Sequence, residues 1–299
     1  MALVTVLVVM AITVSLISFM FIRQDAWVRS LENSSSRAQA ATVARSAIEW
    51  MGELALEDAK DKKGGHLAQA GPEEIPLFEV EGGELTGRIE AAQGKLNLNN
   101  LSKNGVIDQS GLKVMRKFFD LIDVPVELVE ALADWVDKDG DIRPPSGAED
   151  EYYLSLKNPY RTANVELAEL NDLYFIKGFD KKVIDKLRPY AIALPEGTPL
   201  NVNTASAEAI TAIFGGALPL KWGKSVVEAR GNGFEKVSDF KKLIPLKISI
   251  PTGWSISVNS WYYLVRAEAR FQRARVGYMA LIEVRENYDT AKIIWLKEA

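Results

Sequence analysis

"MALVTVLVVMAITVSLISFMFI", residues 1–22, carries no charged side chain, and only Thr5, Thr13, Ser15 and Ser18 interrupt its apolar run. As an α-helix at about 1.5 Å per residue it would be about 33 Å long, enough to cross the hydrocarbon core of a bilayer. Arg23 ends the run. A secretory signal peptide has a basic leading region, a shorter apolar core and a small-residue cleavage site. Here the apolar run starts at residue 1, without the basic flank that normally precedes a span, and the expectation is a basic leader already removed.

The helix is predicted to continue past Arg23. Ala44, Ala47, Ile48, Met51, Leu54 and Ala55 recur at steps of three and four, with Arg45, Glu49 and Glu53 between them. Gly64-Gly65 is the expected stop. One helix would thus have an apolar first half and an amphipathic second half. A plain single-pass tether accounts for the first and has no need of the second.

Two regions alternate at the strand period. "LFEVEGGELTGRIEAAQGKLNL", residues 77–98, predicts a hairpin around Gly82-Gly83, and residues 255–296 predict three more strands, with Arg266, Glu268 and Arg270 facing outward. Between them, residues 100–252 read as short helices cut by Pro and Gly. Strands, then helices, then strands predict an α+β chain: a spanning segment at 1–22, a first α+β part at 23–98, an all-α insert at 99–252 and C-terminal strands at 253–299.

Composition narrows the function. The chain has 299 residues, 47% of them hydrophobic, and a net charge of −4, which argues against a protein built to coat nucleic acid. It has no cysteine, so thiolate metal sites are excluded, and its one histidine, His66, lies in a glycine-rich charged stretch that reads as loop. Histidine-based catalysis would have to pass through that residue.

The insert carries an internal echo: "KLNLNNLS" from Lys95 and "PLNVNTAS" from Pro199 each precede a run of short helices. The second run resembles helix-hairpin-helix modules, which offer backbone N–H groups to a DNA phosphate. Its hairpin position reads "GGALPLKWG" and lacks the tight Gly-hydrophobic-Gly triplet. Residues 199–250 hold seven Lys/Arg against four Asp/Glu, a mildly basic face. Packing is the favoured reading there, and no nucleic acid partner is expected.

"DWVDKDGDIRPPSGAEDEYY", residues 134–153, gathers seven carboxylates against Lys138 and Arg143. Asp137, Asp139 and Asp141 stand at the i, i+2, i+4 spacing that opens an EF-hand-type calcium loop, with Arg143 placed as a main-chain carbonyl donor. Glu149 and Asp150 supply later carboxylates beyond the stiff Pro144-Pro145 pair. The loop departs from a true EF-hand: Ile142 stands where glycine belongs, and Ala148 where the bidentate glutamate belongs. An oxygen-only, carboxylate-rich set favours calcium over zinc or magnesium. Asn164, in "YRTAN", could add a side-chain carbonyl. The bland alternative is a solvated loop; an acid–base pair of a glycan hydrolase is another, but it needs a cleft and carboxylates of divergent pKa.

The start "MALVTVLVVMA", the acidic "ADWVDKDGD…GAEDEYY", the following "YRTAN" and the "LNVNTAS" element together resemble the minor pseudopilin K family of bacterial type II secretion, over the whole length. That resemblance implies a type IV pilin-like fold: a long N-terminal helix on an antiparallel sheet, here with a large inserted all-α domain. It implies Met1 as the first residue after cleavage by a prepilin peptidase, and a single-pass inner-membrane protein with its globular part in the periplasm. Most pseudopilins carry glutamate at position five; here it is Thr5, as in K-type members, and a subunit without that buried carboxylate can be topmost in the filament. The resemblance further implies calcium in the helical insert and a tip complex with I- and J-type minor pseudopilins on a pseudopilus filament. The rivals are a membrane-anchored DNA receptor using the hairpin-like segment, and a membrane-anchored glycan hydrolase using the acidic loop.

Overall fold

The structure, a computed structural model, describes residues 2–60, 67, 73–285, 287 and 289–299. Met1, the expected Gly64-Gly65 stop and His66 lie outside the described residues.

Helix α1 (Ala2–Ala59) runs unbroken for 58 residues, about 87 Å at the usual rise. Its N-terminal part holds a window of mean hydropathy 2.6, none of it buried against the rest of the chain. Thr5 donates its hydroxyl to the Ala2 carbonyl at 2.8 Å, so the polar atom is satisfied inside the helix and no charge enters this segment. From Ser36 onward one face turns inward: Ala40, Ala44, Ala47, Ile48, Met51, Gly52, Ala55 and Leu56. Leu54, expected on that face, is 39% exposed; Gly52 and Leu56 line the seam instead.

That seam lies on a five-stranded antiparallel sheet of order β1-β2-β9-β10-β11: β1 (Glu73–Val80), β2 (Gly83–Ala91), β9 (Tyr262–Phe271), β10 (Ala274–Glu283) and β11 (Lys292–Glu298). Strand alternation sorts the faces. Ile89, Tyr263, Val265, Ala267, Ala280 and Ile282 pack under Ile48, Met51 and Ala55, each large side chain so buried contributing about 1.5–3 kcal/mol. Arg266 and Arg270 point to solvent on the opposite face. The helix approaches closely at two glycines. A Cβ at Gly52 would meet Ala291 at 3.1 Å and Ile282 at 3.2 Å, and one at Gly87 would meet the Met51 sulfur at 3.0 Å.

Although β2 and β9 are neighbours, pairing Ala91 with Tyr263, the whole helical insert is threaded between them. It therefore leaves and rejoins the sheet at the end where α1 finishes. Gln93, 1% exposed, stitches that junction: its amide N–H donates to the Pro199 carbonyl at 3.0 Å and its oxygen accepts from the Tyr262 N–H at 3.2 Å.

The insert has its own core and comprises α2 (Gln109–Leu121), α3 (Leu128–Val136), α4 (Asp150–Leu154), α5 (Lys181–Leu187), α6 (Ala207–Ala212), α7 (Leu220–Ala229) and α8 (Val237–Lys241). Short strand pairs punctuate it: β3 (Leu96–Asn97) with β6 (Ala191–Ile192), β4 (Ser102–Lys103) with β5 (Val106–Ile107), and β7 (Leu200–Asn201) with β8 (Ile256–Ser257). In the segment "AIAL" from Ala191, expected to continue a helix, Ala191 and Ile192 form β6 instead, parallel to β3. "LNDLYF" from Leu170 winds as a 3-10 helix.

The internal echo is a structural duplication. In the first copy Asn97 accepts from the Asn99 N–H at 3.1 Å, and Asn99 donates to the Leu167 and Leu194 carbonyls at 2.9 Å while accepting from the Leu167 N–H at 2.9 Å. In the second, Asn201 accepts from the Asn203 N–H at 2.9 Å, and Asn203 donates to the Phe234 and Val258 carbonyls at 3.0 Å while accepting from the Phe234 N–H at 2.7 Å. Each motif pairs its short strand in parallel with one far downstream, and its second asparagine ties down a loop between them.

The hairpin-like segment between α6 and α7 packs rather than presents. Ile213, Phe214 and Leu218 are buried, and the N–H groups of Gly215 and Ala217 bond to the Ala212 and Phe214 carbonyls at 2.8 and 3.1 Å. A side chain at Gly223 would strike the Thr211 hydroxyl and lie 2.5 Å from the Ala207 carbonyl, so the two helices touch backbone to backbone.

Candidate metal centre

The acidic stretch begins inside α3, all nine of whose residues are buried. Asp134 sits on that helix fully buried, and sequence reasoning gave it no ligand role; the available signal was a lone aspartate among Leu132, Ala133, Trp135 and Val136. Its carboxylate accepts from the Arg143 backbone N–H at 3.1 Å and the Arg143 guanidinium at 3.0 Å. Even so, burial pushes its pKa up.

Asp137 caps α3 and is also fully buried. The Arg143 guanidinium contacts it as an ion pair but not in hydrogen-bonding alignment, so neither of its carboxylate oxygens has a hydrogen-bond donor. Burial, opposed by Arg143 and reinforced by the Asp139, Asp134 and Glu149 carboxylates, pushes its pKa up to about 7. Asp139 is exposed and lies 3.8 Å from the guanidinium, and its carboxylate accepts the Asp141 N–H at 2.9 Å. Asp141 itself is exposed.

Beyond the cis Pro144–Pro145 peptide the chain returns to the cluster. The tight bend needs glycine at 147, where a side chain would collide with Asp134 and with the Arg143 carbonyl. Glu149 caps α4, is 4% exposed and has an unpartnered Oε1. Its pKa is raised by burial; the neighbouring Thr162 hydroxyl opposes this, although that oxygen has no partner in hydrogen-bonding geometry. Asp150 faces Arg161 at 3.3 Å and accepts the Thr162 N–H at 3.0 Å. Asn164 donates to the Asp139 carbonyl at 3.2 Å and keeps a buried, unpartnered Oδ1.

The structure thus sets Asp134, Asp137 and Asp139 around Arg143, keeps Glu149 close enough to these carboxylates to raise the Asp137 pKa, and brings Asn164 over the loop, while Asp150 turns to Arg161 and Asp141 to solvent. Arg143 takes part through its guanidinium. Its carbonyl, the expected ligand atom, accepts the Gly147 N–H at 2.8 Å. Among the described residues, no three acidic, histidine or cysteine side chains are grouped as a ready metal cage. The orphaned oxygens of Asp137, Glu149 and Asn164 are nevertheless all oxygen donors, buried and without hydrogen-bond donors, a set that suits a hard cation.

A long, half-exposed N-terminal helix laid on an antiparallel sheet, with a helical domain threaded between two adjacent strands, defines a pilin-like protein with an inserted domain. The family model "Type II secretion system (T2SS), protein K" matches residues 94–196 and, as a second domain, residues 200–252. Type II secretion system protein K of Pseudomonas aeruginosa is 32% identical over 282 residues, covering 89% of this chain and 83% of its own. That of Aeromonas hydrophila is 30% identical, covering 92% and 90%. The crystal structure of the GspK-GspI-GspJ complex from the enterotoxigenic Escherichia coli type 2 secretion system contains a chain of the same fold, at TM-score 0.69 and 23% identity over 93% of this chain and 99% of that one. The chain belongs to the type II secretion system protein K family, the K-type minor pseudopilins.

Proposed function

We propose that this chain is a non-enzymatic tip subunit of a type II secretion pseudopilus. It would be anchored in the inner membrane by α1, with its globular part in the periplasm, and joined to I- and J-type minor pseudopilins. The observation that carries this reading is where the insert sits. It departs from the sheet at Ala91 and Tyr262, beside the C-terminal end of α1, so it crowns the end of the molecule far from the apolar segment. A subunit stacked above would meet that bulk. Thr5 supports the same placement, since a topmost subunit has no partner for a buried carboxylate. The fold shared with a chain of a GspK-GspI-GspJ complex supports the choice of partners.

We infer further that calcium belongs in the helical insert, held by Asp137, Asp139, Glu149 and Asn164, with Asp141, Asp150 and the Arg143 carbonyl joining on closure. The buried, donor-less oxygens support this. The function is tested by co-expressing the chain with I- and J-type partners: a one-to-one-to-one complex is expected, and filaments formed by this chain alone would overturn the tip assignment. Calcium is tested by calorimetry on the metal-stripped chain in detergent, where the absence of binding would remove the ion from the reading.

A further inference from the structure

Arg143 holds the centre of the acidic cluster. One guanidinium nitrogen lies 3.0 Å from Asp134 and contacts Asp137; the other lies 3.8 Å from Asp139. Arginine keeps its charge at any relevant pH, so this cation can leave only by moving. It has somewhere to go, because its side chain is 25% exposed while both aspartates it touches are fully buried. Its departure would leave Asp134 partly satisfied, because that carboxylate also accepts from the Arg143 main chain.

We propose that the Arg143 guanidinium is a built-in competitor that occupies the cation position of the acidic loop and must swing out before calcium can enter. The inference rests on the calcium reading above. The contact with Asp137 lacks hydrogen-bond alignment, so that pair is held by charge alone, unlike the aligned bond to Asp134. One positive charge faces Asp134, Asp137 and Asp139, and Asp137 and the neighbouring Glu149 keep orphaned oxygens that six- to eight-fold oxygen coordination would use. The two cations repel, so they exclude each other. Arg143 thereby keeps the metal-free loop folded and makes calcium affinity weaker than the ligand set alone would give. The chain would then respond to calcium over a higher concentration range instead of holding it permanently.

The test uses the full chain in detergent, metal-stripped, as wild type, Arg143→Gln and Arg143→Lys, with calcium chloride titrated by calorimetry and melting followed in EGTA. Both variants retain the residue-143 carbonyl. If the guanidinium-out form is about a tenth of the metal-free population or less, Arg143→Gln should bind calcium about tenfold tighter or more. It should melt lower in EGTA and recover in saturating calcium. Arg143→Lys, which keeps a competing charge, should stay close to wild type in affinity. Calcium binding by Arg143→Gln alone would support the competitor in its strongest form. Equal or weaker binding by Arg143→Gln beside a wild type that binds would overturn it while leaving the calcium site standing. Failure of every form to bind would remove both the site and the competitor.

Discussion

Asn164 donates its side-chain N–H to the main-chain carbonyl of Asp139, 25 residues earlier in the chain, at 3.2 Å. The same side chain turns an unpartnered oxygen into the buried interior, and its backbone sits at φ 50°, where glycine is at ease. Asn164→Gly therefore removes the tether and the oxygen without straining the backbone. Asn164 is itself one of the proposed ligands, so calcium affinity should fall by at least the roughly tenfold that losing even an outer partner of a ligand costs, while the melting point in EGTA changes little. Calorimetry beside a thermal melt checks both halves.

The pH response of the metal-free chain has a fixed sign. Asp137 is raised from 3.8 to about 7, so between those values the folded chain holds a proton that the unfolded chain releases. Stability contributed there is present at the acid end and is lost as pH rises through about 7. Melting points in EGTA should accordingly fall as pH rises through this window. Calcium needs the ionised form, so the melting increment it produces should grow over the same window. Asp137→Asn should flatten the first trend.

Asn99→Ala and Asn203→Ala each take a partner from two carbonyls and one N–H of the backbone, all buried at Asn99 and partly so at Asn203, a loss on the order of 3 kcal/mol for the first and less for the second. Their consequences should differ. Asn99 fixes Leu167, three residues from Asn164, so its loss should also weaken calcium binding. Asn203 fixes Phe234 and should leave calcium alone. Denaturant unfolding paired with calorimetry separates the two.

Gly52→Leu should loosen α1 from the sheet, because even a Cβ there meets Ala291 at 3.1 Å and Ile282 at 3.2 Å. Overpacking of this kind costs about 1–3 kcal/mol. Chemical denaturation of the full chain in detergent reads it directly.

No useful DNA binding is expected. The N–H groups of Gly215 and Ala217 already bond within the chain. Fluorescence anisotropy at low micromolar protein should show no salt-dependent rise; tight binding that weakens steeply with salt would contradict this.

Much of this architecture is local and therefore legible in the sequence. The uncharged run to Ile22 and the three-four spacing from Ala44 announce both halves of α1. Alternation around Gly82-Gly83 announces a hairpin because strand side chains repeat every two residues. What stayed hidden depends on distant partners. "AIAL" is a short apolar run, which periodicity cannot separate from helix, and its first two residues become a strand because Leu96 and Asn97 lie beside them. Leu54 misled because a helix face drifts away from strict three-four steps. At the acidic loop the alternation of Asp137, Asp139 and Asp141 was visible, whereas the burial of Asp134 and the inward turn of Arg143 are set by packing. Spacing nominates residues for a cation; it does not say which of them packing buries.

The two asparagine motifs close circuits of unequal length. Asn99 reaches across 68 residues to Leu167, whereas Asn203 needs only 31 to reach Phe234. The shorter circuit shows that this knot of backbone closes without any acidic excursion. The exposed turn from Lys138 to Ile142, which the longer circuit carries and the shorter does without, is thus a detour borne by a framework that is already shut. A chain built this way can lengthen, trim or rewrite that turn while the knots at Asn99 and Asn203 keep their places, so the charge it presents can change without the crown shifting on the sheet.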